Sequence, residues 1–573
     1  MDVQSLINVD VDQFYGIEIE EFPAQIAQVA LWLTDHQMNM RVSEEFGAYF
    51  ARIPLKATPH IICANALQVE WSGELPIFDY IFGNPPFLGK SNQSAEQKID
   101  LQAVCSEIKN AGLLDFVAAW YVKSVRYIRG DYIRGNLIIP TPEEQSKMRG
   151  IATDDTYNKL YDSWVNSKPN PKTKCAFVST NSITQGEQVG ALWAWMLAQG
   201  IKIHFAHRTF SWSNEVRGKA AVHCVIIGFG LQDVADKTIY EYVDIKGEPH
   251  AVKAGNINPC LVDAPDLIIE KSRRPICAVP KMTYGSKPAD GGNLILTEVE
   301  RATLLASEPS AEHYVRPYIG SEELINGNGR YCLWLKDASP QLLRKMPLVL
   351  ARVEAVRQMR LASTDQNTRN WAEKPSEFQT DRQPESDYLA LPEVSSELRK
   401  YIPIAYLPVN VIASNLLYTI EGAGLYDFGF LCSSMHMAWL RTICGRLKSD
   451  YRYSASLVYN NFPWPVLQAN IHAPLEACSQ AVLDARAAHI NASLADLYDP
   501  LTMPTNLLKA HQALDKAVDA AYGYKGANTD AARVAFLFER YQQLTSLLPP
   551  EKSKKPLKRA NNTCPASQYQ CGL

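Results

Sequence analysis

What the sequence lacks narrows its class before any motif is read. No uninterrupted apolar run reaches the length of a membrane span, and Met1-Asp2-Val3-Gln4 does not open a signal peptide. Twelve cysteines are scattered without a C-x-x-C pair, which argues against a zinc site or a disulfide framework. A reducing cytoplasm and no metal are the expectations. Neither sign of charge is in large excess, with a net charge of -4, so a nucleic-acid partner must be met by basic side chains concentrated locally. A dinucleotide fingerprint is missing too, because no acidic cofactor strand follows Gly422-Ala423-Gly424, which reads as a turn. What is present is 573 residues with 46% hydrophobic and 21% charged content, enough for two or three globular domains.

The stretch that organises the chain is Asp79-Tyr80-Ile81-Phe82-Gly83-Asn84-Pro85-Pro86-Phe87. An apolar run enters a turn that neither helix nor central strand can continue through, because Pro85 and Pro86 lack the amide hydrogen and fix φ. It reads as the end of a buried strand that delivers one amide and one aromatic ring to the rim of a sheet, where ligands of open α/β sheets sit. Those groups suit a narrow chemistry. An amino group conjugated to an aromatic base is a poor nucleophile, and two acceptors aimed at its hydrogens free its lone pair. The Asn84 side-chain oxygen and the Pro85 carbonyl are candidate acceptors, and Phe87 offers a face for a flipped base.

Around this turn the pattern alternates strand and helix. Residues 13–19 read as a short strand and 21–39 as an amphipathic helix with Ile26, Val29, Ala30 and Leu33 on one face. A carboxylate near the end of a second α/β strand usually accepts from a ribose hydroxyl pair; Glu18 stands there, with Glu20 as the near alternative. Residues 60–67 form a strand ending in small polar residues that include Asn65. A helix opens at Asp115, placed to cap it or to lie near a cofactor. Residues 126–173 read as a surface insertion, 175–181 as a strand and 189–197 as a helix whose Trp193 and Trp195 are packing residues. Strands follow at 201–209 and 220–229, with an aromatic, polar loop between them.

Asn84-Pro85-Pro86-Phe87 resembles motif IV of the amino-methyltransferases that modify adenine in DNA, and residues 206–228 resemble the MmeI-like, type IIL restriction–modification enzymes. The run of motifs in fixed order extends the resemblance from Tyr15 to Pro465. It implies an α/β fold: a class I S-adenosylmethionine-dependent methyltransferase (Rossmann-like) sheet, then an α+β target-recognition domain and a C-terminal helical region. In its terms Glu18 and Asn65 hold the ribose and adenine of S-adenosylmethionine and Asp115 lies near it. Asn84, Pro85, Pro86 and Phe87 are catalytic, and Phe210, Trp212 and His223 are candidates for the second face of the base. The implied function is site-specific adenine methylation of double-stranded DNA within a restriction–modification system.

The second half reads as the recognition region. Arg273, Arg274, Lys281 and Lys287 lie in a Pro/Gly-rich linker, and a helix through Arg344, Lys345, Arg352, Arg357 and Arg360 supplies charge for phosphate or forms a solvated face. Loops at 412–415 and 448–454 carry side chains suited to base edges. Residues 474–490, 507–522 and 529–548 show helical spacing and read as a small bundle; 552–559 is a basic tail. The expected domains are 1–255 (catalytic), 256–470 (recognition), 471–550 (helical) and 551–573 (tail).

One part of the family pattern is not found. Ahead of Gly16-Ile17-Glu18-Ile19 the family carries a first strand and a glycine-rich turn, and none of the residues before Phe14 is that turn. The expectation is a sheet incomplete at its N-terminus, a fragment from a split or truncated gene, and an upstream-encoded polypeptide that supplies the missing strand and the nuclease. The alternative is a non-catalytic DNA-recognition fragment or subunit.

Overall fold

A strand, a turn and a long helix open the part of the chain described by the computed structural model, which comprises residues 9–47, 58–71, 77–130, 171–212, 222–466 and 469–546. Most of the expected insertion (131–170), the end of the aromatic loop (213–215) and the basic tail (552–559) lie outside these residues. Two compact units divide the chain: Met1–Thr180 with Trp195–His204 and Ile226–Val234, and Asn181–Ala194 with Phe205–Val225 and Ala235–Leu573.

In the first unit β1 (Tyr15–Glu18) leads into α1 (Glu21–Phe46), which runs one turn and more past its expected end until Gly47 stops it at φ 64. β2 (His60–Cys63) pairs parallel with β1, setting Tyr15 opposite His60 and Glu18 opposite Cys63. β3 (Tyr80–Gly83) pairs parallel with β4 (Lys174–Thr180), from Tyr80 opposite Lys174 to Gly83 opposite Phe177. Between them come α2 (Ala95–Val104), started by a Ser94–Gln97 capping box, and α3 (Ala118–Arg129), ended by Gly130 at φ 76. Arg126, expected at the start of an insertion, is instead a buried residue of α3 that reaches Glu107 at 3.5 Å.

The core of this unit is aromatic. Tyr121 of α3 stacks on Phe229 at 5.3 Å and meets Phe177 at 5.2 Å, and its hydroxyl pairs with Ser179 at 2.7 Å. β5 (Lys202–Trp212), β6 (Val222–Gly230), β7 (Lys237–Tyr242) and β8 (Pro249–Ala254) complete a six-stranded sheet in the order β3, β4, β6, β5, β7, β8. β1 and β2 form a separate two-stranded sheet. The parallel partner β7 and antiparallel β8 were not foreseen, because the alternation of half-exposed polar and apolar residues in 237–254 carries no turn signal of its own.

The second unit builds smaller sheets. β9 (Met282–Tyr284), β13 (Tyr388–Pro392), β15 (Ala405–Leu407) and β17 (Leu417–Glu421) form one, in the order β15, β13, β17, β9. β10 (Ile295–Thr297), β11 (Val315–Ile319), β12 (Arg330–Leu333) and β16 (Ile412–Ala413) form another, in the order β10, β12, β11, β16. β14 (Val394–Ser395), β18 (Gly445–Leu447) and β19 (Asp450–Arg452) form a third, with Lys448 and Ser449 as its two-residue hairpin loop. The chain passes from β16 to β17, and so from one sheet to another, through only Ser414-Asn415-Leu416. Gly285 seals that crossing. A Cβ there would meet the Ala413 and Ser414 carbonyl oxygens at 2.4 Å, so no other residue fits.

The expected helix through Arg344 and Arg360 is broken: Pro347 starts a new helix, α4 (Pro347–Leu361), because proline is favoured at a first turn and disfavoured inside one. Arg360 is fully buried, and its guanidinium donates to the carbonyls of Pro288, Ala289, Trp371, Lys374 and Glu377 at 2.7–3.0 Å. It is a structural clamp and cannot reach a phosphate. The expected loose linker is strapped down as well: Asn460 and Asn461 donate to the carbonyls of Ser272 and Glu270, each at 2.8 Å. Three long helices, α5 (Ala469–Ala487), α6 (Thr505–Tyr522) and α7 (Asp530–Ser546), carry Val482, Leu514 and Leu537 into the unit's largest apolar core.

Candidate functional site

Three sequence-predicted residues stand at the carboxyl ends of the first unit's parallel strands. Glu18 closes β1, Asn65 lies two residues past β2, and Asn84 follows directly on β3. Strands of one direction place their carboxyl ends on one rim, which is why residues far apart in sequence gather at such a rim. Glu18 accepts the Ile19 amide at 2.9 Å through one oxygen. Asn84 is exposed, Pro85 buried, Pro86 exposed and Phe87 half-buried, so the turn offers an amide to solvent while its first proline anchors it.

The backbone that follows Phe87 is fastened at both of its polar groups. The Leu88 amide donates to Asp115 at 3.2 Å, while the Leu88 carbonyl accepts from Phe116 and Gln93, each at 3.0 Å. Asp115 is buried and its carboxylate also takes the Val117 amide at 3.2 Å and the Thr180 side chain at the end of β4. Burial pushes its carboxyl above the ordinary value; bonds from Val117, Leu88, Thr180 and Phe116 pull the other way. Asp115 therefore ties the turn after β3 to the starts of α3 and the end of β4.

Asn65 has both ends of its amide engaged: it donates to Asp100 of α2 at 2.8 Å and accepts from Leu67 at 3.0 Å. Asp100 also holds Gln68 at 3.0 Å. Lys123 of α3 donates to the carbonyls of Ala66, at 2.7 Å, and Val69, and lies over the Trp71 ring at 5.2 Å. Burial lowers its pKa to about 8. Asp100, Lys123, Gln93 and Thr180 escaped the sequence reading. Each acts on a partner far along the chain, and nothing in the local pattern marks such a residue; only the capping box that starts α2 was a visible signal.

In the second unit His207 stacks on Tyr240 at 4.2 Å and bonds the Tyr242 hydroxyl at 2.8 Å, and Phe210 stacks on Tyr242 at 5.3 Å. Phe210 thus sits in an aromatic row along β5 and β7. His223 is half-buried on β6, and the Trp212 side chain is outside the described groups. Among the described residues no cluster of His, Cys, Asp or Glu is arranged to hold a metal, and no helix is long and apolar enough to cross a membrane.

A nucleoside cofactor fits the rim of the first unit in its donor set: a carboxylate at the end of β1, a loop at 65–69 held by Asp100 and Lys123, and the Asn84 turn. Comparison with known proteins extends the picture. The chain is 36% identical over 543 residues to DNA methyltransferase A of Bacillus subtilis, a match covering 94% of this chain and 56% of that protein. It thus spans little more than half the length of that relative. A solved structure of the type IIL restriction–modification enzyme MmeI in complex with DNA is 53% identical, with a TM-score of 0.76 over 95% of this chain and 68% of that one. Family models for the MmeI DNA-methyltransferase domain (1–164 and 157–241), target recognition domain (263–466) and C-terminal domain (468–549) match in succession. The chain belongs to the MmeI family.

Proposed function

We propose that this chain is the methyltransferase and target-recognition part of a restriction–modification system that methylates the amino group of adenine in double-stranded DNA. The observation that carries the reading is the gathering of Glu18, Asn65 and the Asn84-Pro85-Pro86-Phe87 turn at the carboxyl ends of β1, β2 and β3. Residues 1–255 form the catalytic domain, 256–470 the recognition domain, 471–550 a helical region and 551–573 a tail. S-adenosylmethionine, the cofactor the family implies, supplies an electrophilic methyl group when bound. Glu18 would hold its ribose and the Asn65 loop its adenine.

The chain's own residues do the rest by position. The Asn84 side-chain oxygen and the Pro85 carbonyl accept the two amino hydrogens of a flipped adenine, which leaves the nitrogen lone pair directed outward. Phe87 stacks on the base, and Pro86 stiffens the turn so that these groups need little reorganisation. Asp115 acts at one remove, fixing Leu88 so that Phe87 keeps its place. Methylation of mixed-sequence DNA by the purified chain, with Asn84→Ala in parallel, tests the proposal. The variant should lose about 10²–10³-fold in rate while binding S-adenosylmethionine as wild type does in calorimetry. Wild-type protein that binds cofactor and DNA yet transfers no methyl to adenine would sink the reading.

A second reading, a non-catalytic DNA-recognition subunit, is favoured by one feature of the first unit: β1 and β3 each lack a hydrogen-bonded neighbour on one edge among the described residues. In the family pattern a strand with a glycine-rich turn belongs beside β1. The catalytic proposal therefore includes an upstream-encoded polypeptide that supplies it.

A further inference from the structure

The open edges of β1 and β3 lie in the same unit and share direction, since β1 pairs parallel with β2 and β3 pairs parallel with β4. No backbone hydrogen bond joins β1 to β3 among the described residues; what links their amino ends is a contact of Tyr15 with Phe78 at 5.2 Å between ring centroids. Parallel sheets are ordinarily covered on both faces and are unstable as open edges. Here Tyr80 and Phe82, on one face of β3, are 66% and 74% exposed. On α1, Phe22, Ile26, Val29, Leu33 and Met40 form an exposed apolar stripe, Phe22 at 71% and Leu33 at 57%, with steps of four, three, four and seven residues. That is the spacing of a helix–helix seam. The opposite side of α1, with Ala24 and Asn39 buried, is already in use.

We propose that these features form one docking site, and that its occupant is a βα segment from polypeptide outside this sequence. One strand enters parallel to both β1 and β3, and the amphipathic helix that follows it lies along the α1 stripe. The inference rests on the methyltransferase reading above for its place beside Glu18 and Asn84, and adds the surface and the partner's form. Three observations choose this occupant over a second copy of the chain. Two edges of like direction require a parallel strand, which an isologous pairing of one edge with its copy does not supply. The helical seam adjoins the open strands, as a right-handed strand-to-helix connection requires. Both relatives extend well beyond their match, which covers 56% and 68% of their lengths.

The test uses the full chain and, as probe, the part of the 53% identical solved relative that lies outside the match, produced as a separate polypeptide. Sedimentation should show a one-to-one complex, and amide exchange at 15–18 and 80–83 should slow by roughly tenfold or more. The double variant Ile26→Glu/Leu33→Glu changes only exposed side chains and should weaken the complex by roughly tenfold or more, whereas Leu501→Glu, at 94% exposure on the other unit, should not. Absence of a complex, protection confined to other strands, or self-association of the chain that the double variant abolishes would each overturn the proposal. Binding is measured without cofactor or DNA. A complex that transfers no methyl thus counts against the catalytic reading alone, and methylation by the chain without a complex counts against this one alone.

Discussion

Replacing Asp115 with alanine isolates what holds the catalytic turn. The change removes the acceptor of the Leu88 and Val117 amides and of the Thr180 side chain inside a buried region. Each buried donor left without a partner costs about 1–3 kcal/mol, and relief of the carboxylate's own desolvation returns part of that. A net local loss of about 2–4 kcal/mol follows, equivalent to a rise of about 30- to 1,000-fold in local opening. The reporter is the Phe116 amide, whose bond to the Leu88 carbonyl survives the substitution. Its hydrogen exchange in Asp115→Ala should accelerate by that factor, with methyl transfer falling and cofactor affinity retained. Asp115→Asn keeps one acceptor oxygen and should cost about 1 kcal/mol or less. The sign of its pH dependence is fixed. Because the folded carboxyl sits above its ordinary value, wild type is favoured at low pH and loses that contribution as pH rises through the folded value, so Asp115→Asn gains on wild type from about pH 3 to pH 6. Unchanged Phe116 exchange in the alanine variant would refute the claim that this carboxylate fastens the turn.

Arg360→Met should destabilise the second unit by about 3–5 kcal/mol in denaturant unfolding, because five carbonyls lose a charged donor at once. Arg357→Ala, which breaks only an exposed pair with Glu354, should stay within about 0.5 kcal/mol of wild type; equal effects from the two would contradict the assignment of Arg360 as a clamp. Lys123→Met should loosen the loop at 66–69 and weaken cofactor binding. Its lowered pKa means the folded chain sheds that proton near pH 8 and the unfolded chain only near 10.5, so wild type should gain stability across that window relative to Lys123→Met. A difference between the two that stays flat over those pH values would show that the ammonium is not held in the buried site.

The strand ends were legible because proline and polar residues punctuate apolar runs: Glu18, Asn65 and Asn84 fall at strand ends as read. Helices with strong periodicity were found too, with ends moved by a few residues, as in α6, expected from 507 and observed from Thr505. What the sequence hid were interactions between distant partners. Nothing near Arg360 distinguishes a buried clamp from a solvated helix face, and nothing near Asn460 and Asn461 marks amides that tie down a linker almost two hundred residues away. α1 misled in the other direction. Its periodic residues Ile26, Val29 and Leu33 read as a core-facing stripe, yet all three are exposed, because periodicity shows that a face seeks burial and not what covers it.

The three-residue crossing from β16 to β17, sealed by Gly285, bears on how such proteins exchange parts. Two sheets that share a crossing this short cannot be inherited separately, since a recombination joint within 412–417 would pair one parent's strand with the other parent's seal. Chimeras with new sequence preferences are therefore expected to be viable when both sheets travel together with Gly285. Selection should keep this small stretch intact while the loops around it drift.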